Sequence, residues 1–132
     1  MKIWNFVTGA FQVNTLVVQL KDKYVFVGDP GGDILSISQF LASQELEPVA
    51  LVCTHGHFEH ILGIQDLRDT CGNIPLVAHQ EESCYFGPDA LEAHGYDLQM
   101  MGLPQLTEAL SNIPVPDYWV EEGDTLAKVA GI

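Results

Sequence analysis

The chain has 132 residues, one domain's worth, and a hydrophobic fraction of 47% that is ordinary for a globular protein. Eighteen Asp and Glu stand against five Lys and Arg, a net charge of −13; cations that could displace phosphate counterions are nearly absent, so no nucleic-acid or membrane partner is expected. No run approaches the roughly 20 apolar residues that cross a bilayer and no secretory leader pattern opens the chain, while Cys53, Cys71 and Cys84 are odd in number and irregular in spacing, which reads as reduced thiols in a cytoplasmic protein.

Ile3 to Val7 reads as a first strand, broken at Gly9. Thr15 to Leu20 is apolar and β-branched; the polar turn Lys21-Asp22-Lys23 and the run Tyr24 to Val27 complete a hairpin. Gly28-Asp29-Pro30-Gly31-Gly32 is a breaker cluster. Asp33 is placed to N-cap a helix on which Ile34, Ile37, Phe40 and Leu41 recur at helical spacing. Val49 to Cys53 is a short buried strand. Ile61, Ile64, Leu67 and Cys71 line a second helix that Gly72-Asn73 stops. Leu76 to Ala78 is another strand. Residues 81–101 mix helix and loop around Gly87-Pro88 and Gly95, Pro104, Pro114 and Pro116 mark a loop-rich stretch, and Tyr118 to Val120 is a strand. Thr125 to Ile132 is expected as a final strand with an unpaired edge. Strands alternating with helices after an early hairpin predict an α/β (α+β) layered fold on a mixed sheet.

The segment that carries chemistry is Thr54-His55-Gly56-His57-Phe58-Glu59-His60. Imidazoles at i, i+2 and i+5 with a carboxylate at i+4 supply the donors that suit a divalent ion of the zinc or iron class. Residues i and i+2 share one side of an extended segment, and His60, near the start of the next helix, can turn back to the same point. Glu59 can be a ligand or can hold an attacking water. Thr54 is either a supporting hydroxyl or simply a β-branched strand residue. His79 and His94, isolated in sequence, read as structural or solvent-facing.

This motif after an apolar strand resembles that of the metallo-β-lactamase-fold hydrolases. Phe11-Gln12-Val13-Asn14-Thr15, the stretch Val25 to Gly32, Gly102-Leu103-Pro104 and the stretch Glu121 to Leu126 are similar to the glyoxalase II-like, single-domain bacterial branch. The resemblance implies the N-terminal half of an αββα sandwich with a two-metal site, zinc most often, iron or manganese in some members. His55 and His57 would bind the first metal, Glu59 and His60 the second, and Asp29 would be a supporting acid. Metal-bound hydroxide would attack a small-molecule thioester such as S-lactoylglutathione.

The chain departs from the pattern in two places. The family usually has Asp where Glu59 stands, and one more methylene moves the carboxylate by about 1.5 Å, so the second metal is expected to be weakly held. A Pro-Gly-His segment, a bridging Asp and a final His have no counterpart in these residues, so 1–132 reads as a single incomplete domain, completed by a second copy or a complementing chain. Alternatives to a hydrolase are a metal-binding remnant without activity and a structural module with a vestigial histidine cluster.

Overall fold

A computed structural model describes residues 2–88, 90–110 and 113–131. Its centre is a six-stranded sheet in the order β1-β2-β3-β4-β5-β6: β1 (Ile3–Thr8), β2 (Val13–Lys21), β3 (Tyr24–Gly28), β4 (Glu47–Cys53), β5 (Leu76–His79) and β6 (Tyr118–Val120). The first two pairings are antiparallel and the last three parallel, the mixed sheet that the hairpin followed by alternation predicts.

Each parallel step needs a crossover, and crossovers of one hand added in one direction fall on one face of the sheet. α1 (Ile34–Ser43) links β3 to β4, α2 (Ile64–Cys71) links β4 to β5, and α3 (Ala90–Met100) lies between β5 and β6 with 3-10 turns at Gln80–Tyr85 and Pro104–Leu110. The helical face of the sheet is set by alternation: Val17 pairs with Val27, which pairs with Leu51, which pairs with Leu76, and all four are buried. Ile37 and Leu41 of α1 and Ile64 and Leu67 of α2 bury against this row, each contributing about 1.5–3 kcal/mol of apolar burial. Trp4 and Phe6 of β1 meet Phe40 of α1 edge-on at 5.3 and 5.1 Å. The sheet-facing sides of α1 and α2 are thus covered within the chain, whereas Leu35 on α1 and Tyr96 and Met100 on α3 are exposed. On the other face of β1, Ile3 and Val7 are exposed.

Two expectations are corrected. Asp33 occupies the N-cap position of α1 but has left-handed dihedrals (φ 52°) and makes no side-chain cap hydrogen bond; the tight Pro30-Gly31-Gly32 turn fixes the entry instead. Residues from Thr125 onward do not form a strand. Leu126–Ala130 is a short helix, α4, because the Thr125 hydroxyl accepts the Lys128 N–H at 3.1 Å and Gly131 closes the C-terminus at φ 70°. Ala127 and Lys128 are good helix formers, and the run was too short for its period to separate helix from strand. The expected free strand edge disappears with it; Ile132 lies outside the described residues.

Candidate metal centre

In a parallel sheet the carboxyl ends of neighbouring strands lie side by side, and the crevice beyond them is the usual place for a site. Here β3 ends at Gly28 and β4 at Cys53, and the Asp29 N–H donates to Val52 O at 2.9 Å, so Asp29 and Thr54 leave the sheet together. Asp29 takes left-handed dihedrals (φ 53°), which Asp tolerates better than most residues. Its carbonyl accepts the Thr15 hydroxyl at 2.7 Å, and Thr15 in turn accepts from Thr8 at 2.7 Å, so this buried polar pair is satisfied and anchors the turn.

The Asp29 carboxylate is nearly buried and both its oxygens are engaged by Thr54, Oδ1 by the backbone N–H at 2.7 Å and Oδ2 by the hydroxyl at 2.5 Å. Thr54 Oγ1 also lies 3.0 Å from His55 Nδ1. A hydroxyl has one proton, and the carboxylate takes it. The His55 contact is therefore Nδ1–H donating to Thr54, which leaves Nε2 with a free lone pair. Burial first, and the neighbouring His60 next, hold the His55 imidazole below its ordinary pKa, in the neutral form a metal needs.

Two close approaches bring the rest of the motif into register. Gly31 packs against the carbonyl of Glu59, where a Cβ would stand 2.6 Å from that oxygen. Gly56 lies under Tyr85, whose side chain occupies the space a Cβ would need, and its N–H donates to Glu82 Oε1 at 3.2 Å. Between them Phe58 is driven into the core, edge-on to Phe11 at 5.0 Å. Anchoring the middle of the loop leaves His57, Glu59 and His60 gathered at the surface. The rings of His55 and His60 are 3.8 Å apart and those of His55 and His57 4.8 Å apart.

The donors fall into two groups, each with its ligand atoms within 4.8 Å of one another: Asp29, His55 and His60, and His55, His57 and Glu59. Glu59 Oε1 and His60 Nε2 are 4.0 Å apart. All five residues singled out from the sequence therefore converge, with His55 common to both groups. One atom tests whether they fit an ion. His60 Nδ1 is buried without a hydrogen-bond partner, and Asp29 Oδ2, at 3.4 Å, does not supply one. A buried ring nitrogen left open among carboxylate and imidazole donors is what a divalent ion would satisfy.

Residues 8–128 match the sequence model of the Metallo-beta-lactamase superfamily. The chain belongs to this superfamily. It is 31% identical over 87 residues to the Bacillus subtilis protein named "Probable metallo-hydrolase YqgX", covering 66% of this chain and 40% of that one. It is 32% identical over 114 residues to hydroxyacylglutathione hydrolase of Nitrosomonas eutropha (83% and 40%), and 25% identical over 122 residues to hydroxyacylglutathione hydrolase GloC of Haemophilus influenzae (92% and 53%). Among solved structures, BLEG-1 B3 metallo-beta-lactamase superposes with a TM-score of 0.69 at 27% identity, over 92% of this chain and 54% of that one. TTHA1623 in a di-iron-bound form superposes with a TM-score of 0.67 at 22% identity (93% and 56%), a likeness of fold. The chain spans about half or less of the length of these relatives. The superfamily's fold implies divalent metal binding, and the two donor groups are the candidate ligands for it among the described residues.

The wall around the superfamily motif comes from residues that the sequence did not mark. Tyr85 stands edge-on to His57 at 5.5 Å and packs on His94 at 5.1 Å. His94, read as structural or solvent-facing, is fully buried, with Nε2 2.8 Å from the Tyr85 carbonyl. Burial, then a hydrogen bond to Asp97, pushes the Tyr85 phenol up to about 12, so it remains protonated. His79 is half-buried and its Nδ1 accepts the Glu81 N–H at 3.1 Å. Burial raises the pKa of the Cys53 and Cys71 thiols, which disfavours the reactive thiolate at both. Only the helical spacing of His94 with Ala90 and Leu98, the buried residues of α3, hinted at its burial.

Proposed function

We propose that this chain is part of a metal-dependent hydrolase that cleaves an acyl thioester, the class to which S-lactoylglutathione belongs. The names of the hydroxyacylglutathione hydrolases among its relatives support the substrate class. The observation that carries the metal dependence is the open, buried Nδ1 of His60 within a set of imidazole and carboxylate donors.

A divalent ion bound there, zinc or iron, supplies a water acidified toward a pKa of ~7 and a polarised carbonyl. The chain's residues do the rest. His55 would hold the ion with the remaining donors of its two groups, Asp29 and His60 on one side and His57 and Glu59 on the other. Glu59, half-buried with its carboxylate near His60 Nε2, accepts the proton of the attacking water or completes the ligand set. Asp29, each of whose oxygens accepts one hydrogen bond from Thr54, orients His55 through the Thr54 hydroxyl. His55 has one available nitrogen and belongs to both groups, so the donors described here satisfy one ion, and a second needs ligands from elsewhere.

The test is zinc retention. Protein treated with excess zinc and desalted should keep about one equivalent at neutral pH, as expected where three protein donors converge. A His55→Ala/His57→Ala double variant should lose it. Unchanged retention in the double variant overturns the reading.

A further inference from the structure

A fully buried histidine outside the ligand set stands behind the metal centre. His94 lies on α3, and since a carbonyl only accepts, its Nε2 carries the proton and donates to the Tyr85 carbonyl at 2.8 Å. Nδ1 is then a buried acceptor with no partner among the described residues. An orphaned acceptor costs about 1–3 kcal/mol, and Leu98, one turn on, fills the same face of α3 without that cost. What the imidazole adds over an aliphatic side chain is its one hydrogen bond. That bond meets a definite need. Tyr85 ends the 3-10 turn Gln80–Tyr85, and the residue whose N–H such a turn would use next is Pro88, which has none.

Tyr85 is held from α3 at both ends. His94 takes its carbonyl, and Asp97, three residues further along the same side of the helix, accepts a hydrogen bond from its phenol. The His94 ring also packs on the Tyr85 ring at 5.1 Å. Tyr85 passes this placement to the metal loop. Its Cβ and ring fill the space beside Gly56, so the backbone between His55 and His57 rests directly on it, and its ring stands edge-on to His57 at 5.5 Å. Glu82, in the same turn, accepts the Gly56 N–H at 3.2 Å. α3 itself runs beside the site, with Tyr96, Asp97, Met100 and Met101 facing His57 and Glu59 across a cleft of about 260 Å³. The other donors are anchored from other elements: Asp29 through Thr54 at the ends of β3 and β4, and the segment of Glu59 and His60 where the Glu59 carbonyl meets Gly31.

We propose that His94 is a positioning residue for the metal centre: through Tyr85 it sets Gly56 and the direction of His57, and so the donor group of His55, His57 and Glu59, while the group of Asp29, His55 and His60 keeps its geometry without it. This inference rests on the metal-dependent reading above. His94 touches neither the ion nor a substrate; its effect on the ion passes through His57.

His94→Leu fills the space without a donor, and His94→Gln keeps one. In competition titrations with a chromophoric chelator, His94→Leu should weaken zinc binding at least about tenfold, as loss of a group that orients a ligand does, and His94→Gln should stay within about threefold of the parent. The loss should persist in a His60→Gln background and shrink to within about twofold in a His57→Gln background, because residues that act through one another are not additive. Tyr85→Leu should reproduce the loss with His94 in place, which keeps the test decisive if His94→Leu does not fold. A merely structural role would lower affinity in every background. An equal loss with and without His57, a His94→Gln protein as weak as His94→Leu, or full affinity in Tyr85→Leu therefore overturns the proposal. The chain has five histidines, so proton NMR of the metal-free protein at about pH 8, where unperturbed imidazoles are neutral, resolves their ring signals one by one. In His94→Leu and Tyr85→Leu the His57 signal should move farther than that of His60; an unmoved His57 signal also overturns the proposal. Failure of the metal reading is distinct: the parent would retain no zinc while the His57 signal still moved in both variants.

Discussion

Asp29 accepts both hydrogen bonds that Thr54 can give it, one from the backbone and one from the hydroxyl, across 25 residues of chain. The pair ties the end of β3 to the end of β4 and fixes the tautomer of His55. Thr54→Val keeps the β-branched shape and removes the hydroxyl, leaving one Asp29 oxygen without a donor. We expect a loss of about 1–3 kcal/mol in stability and a fall of about 10–100-fold in zinc affinity. Thr54→Ser should restore most of both. Equal zinc affinity in Thr54→Val and the parent would show that the tautomer is set by something else.

Much of this is legible in the sequence because it is local. Strands β1 to β6 announce themselves by alternation or apolar runs between breakers, and the candidate ligands His55 to His60 lie within six positions. Asp29 is 25 residues from Thr54, and it entered the reading through resemblance; no spacing rule pairs them. Tyr85, Tyr96 and Asp97 reach the site only because a crossover from β5 returns over it, and nothing in their own neighbourhood signals that. α4 is not legible for the opposite reason: five residues are too few to show a period, and the deciding contact is one cap from Thr125.

Acid should weaken the metal-free protein. Burial, the leading cause in both cases, lowers the pKa of His55 and His94 in the folded chain, whereas an unfolded histidine titrates near 6.5. Below about pH 6.5 the unfolded chain binds protons that the folded chain does not, so stability is full above that pH and declines as pH falls toward the lower folded values. His94→Gln keeps a donor for the Tyr85 carbonyl and removes one titrating group. Denaturant unfolding in EDTA at pH 7, 6 and 5 should show a shallower decline in the variant; an identical slope would mean that His94 takes no part.

Gly56 and Gly95 make a matched pair for testing the loop. A Cβ at Gly56 runs into Tyr85, while one at Gly95 meets nothing within 4 Å. Gly56→Ala should cost about 1–3 kcal/mol by overpacking and lower zinc retention, because the displaced segment carries His55 and His57. Gly95→Ala, inside α3, should gain about 0.5–1 kcal/mol. Thermal melts of the two variants beside the parent decide this; a Gly56→Ala protein that melts with the parent would show the Tyr85 contact to be soft.

His55 belongs to both donor groups, whereas His60 and Glu59 each belong to one. Removing a shared ligand should therefore do more than removing either unshared one. Glutamine preserves size and polarity at all three positions without offering an imidazole or a charge. Competition titrations with a chromophoric chelator should place His55→Gln at least about 100-fold below the parent in zinc affinity, at the upper end of what loss of one directing group produces. His60→Gln and Glu59→Gln should each fall about tenfold, since the other group persists. The far-ultraviolet spectrum should be unchanged in all three, because these side chains sit at the surface of the loop that Phe58 anchors. If Glu59→Gln falls as far as His55→Gln, the ion sits wholly in the group of His55, His57 and Glu59, and Asp29 and His60 serve only to support it. If His60→Gln falls as far instead, the ion sits beside Asp29 and Glu59 is free to act on the proton.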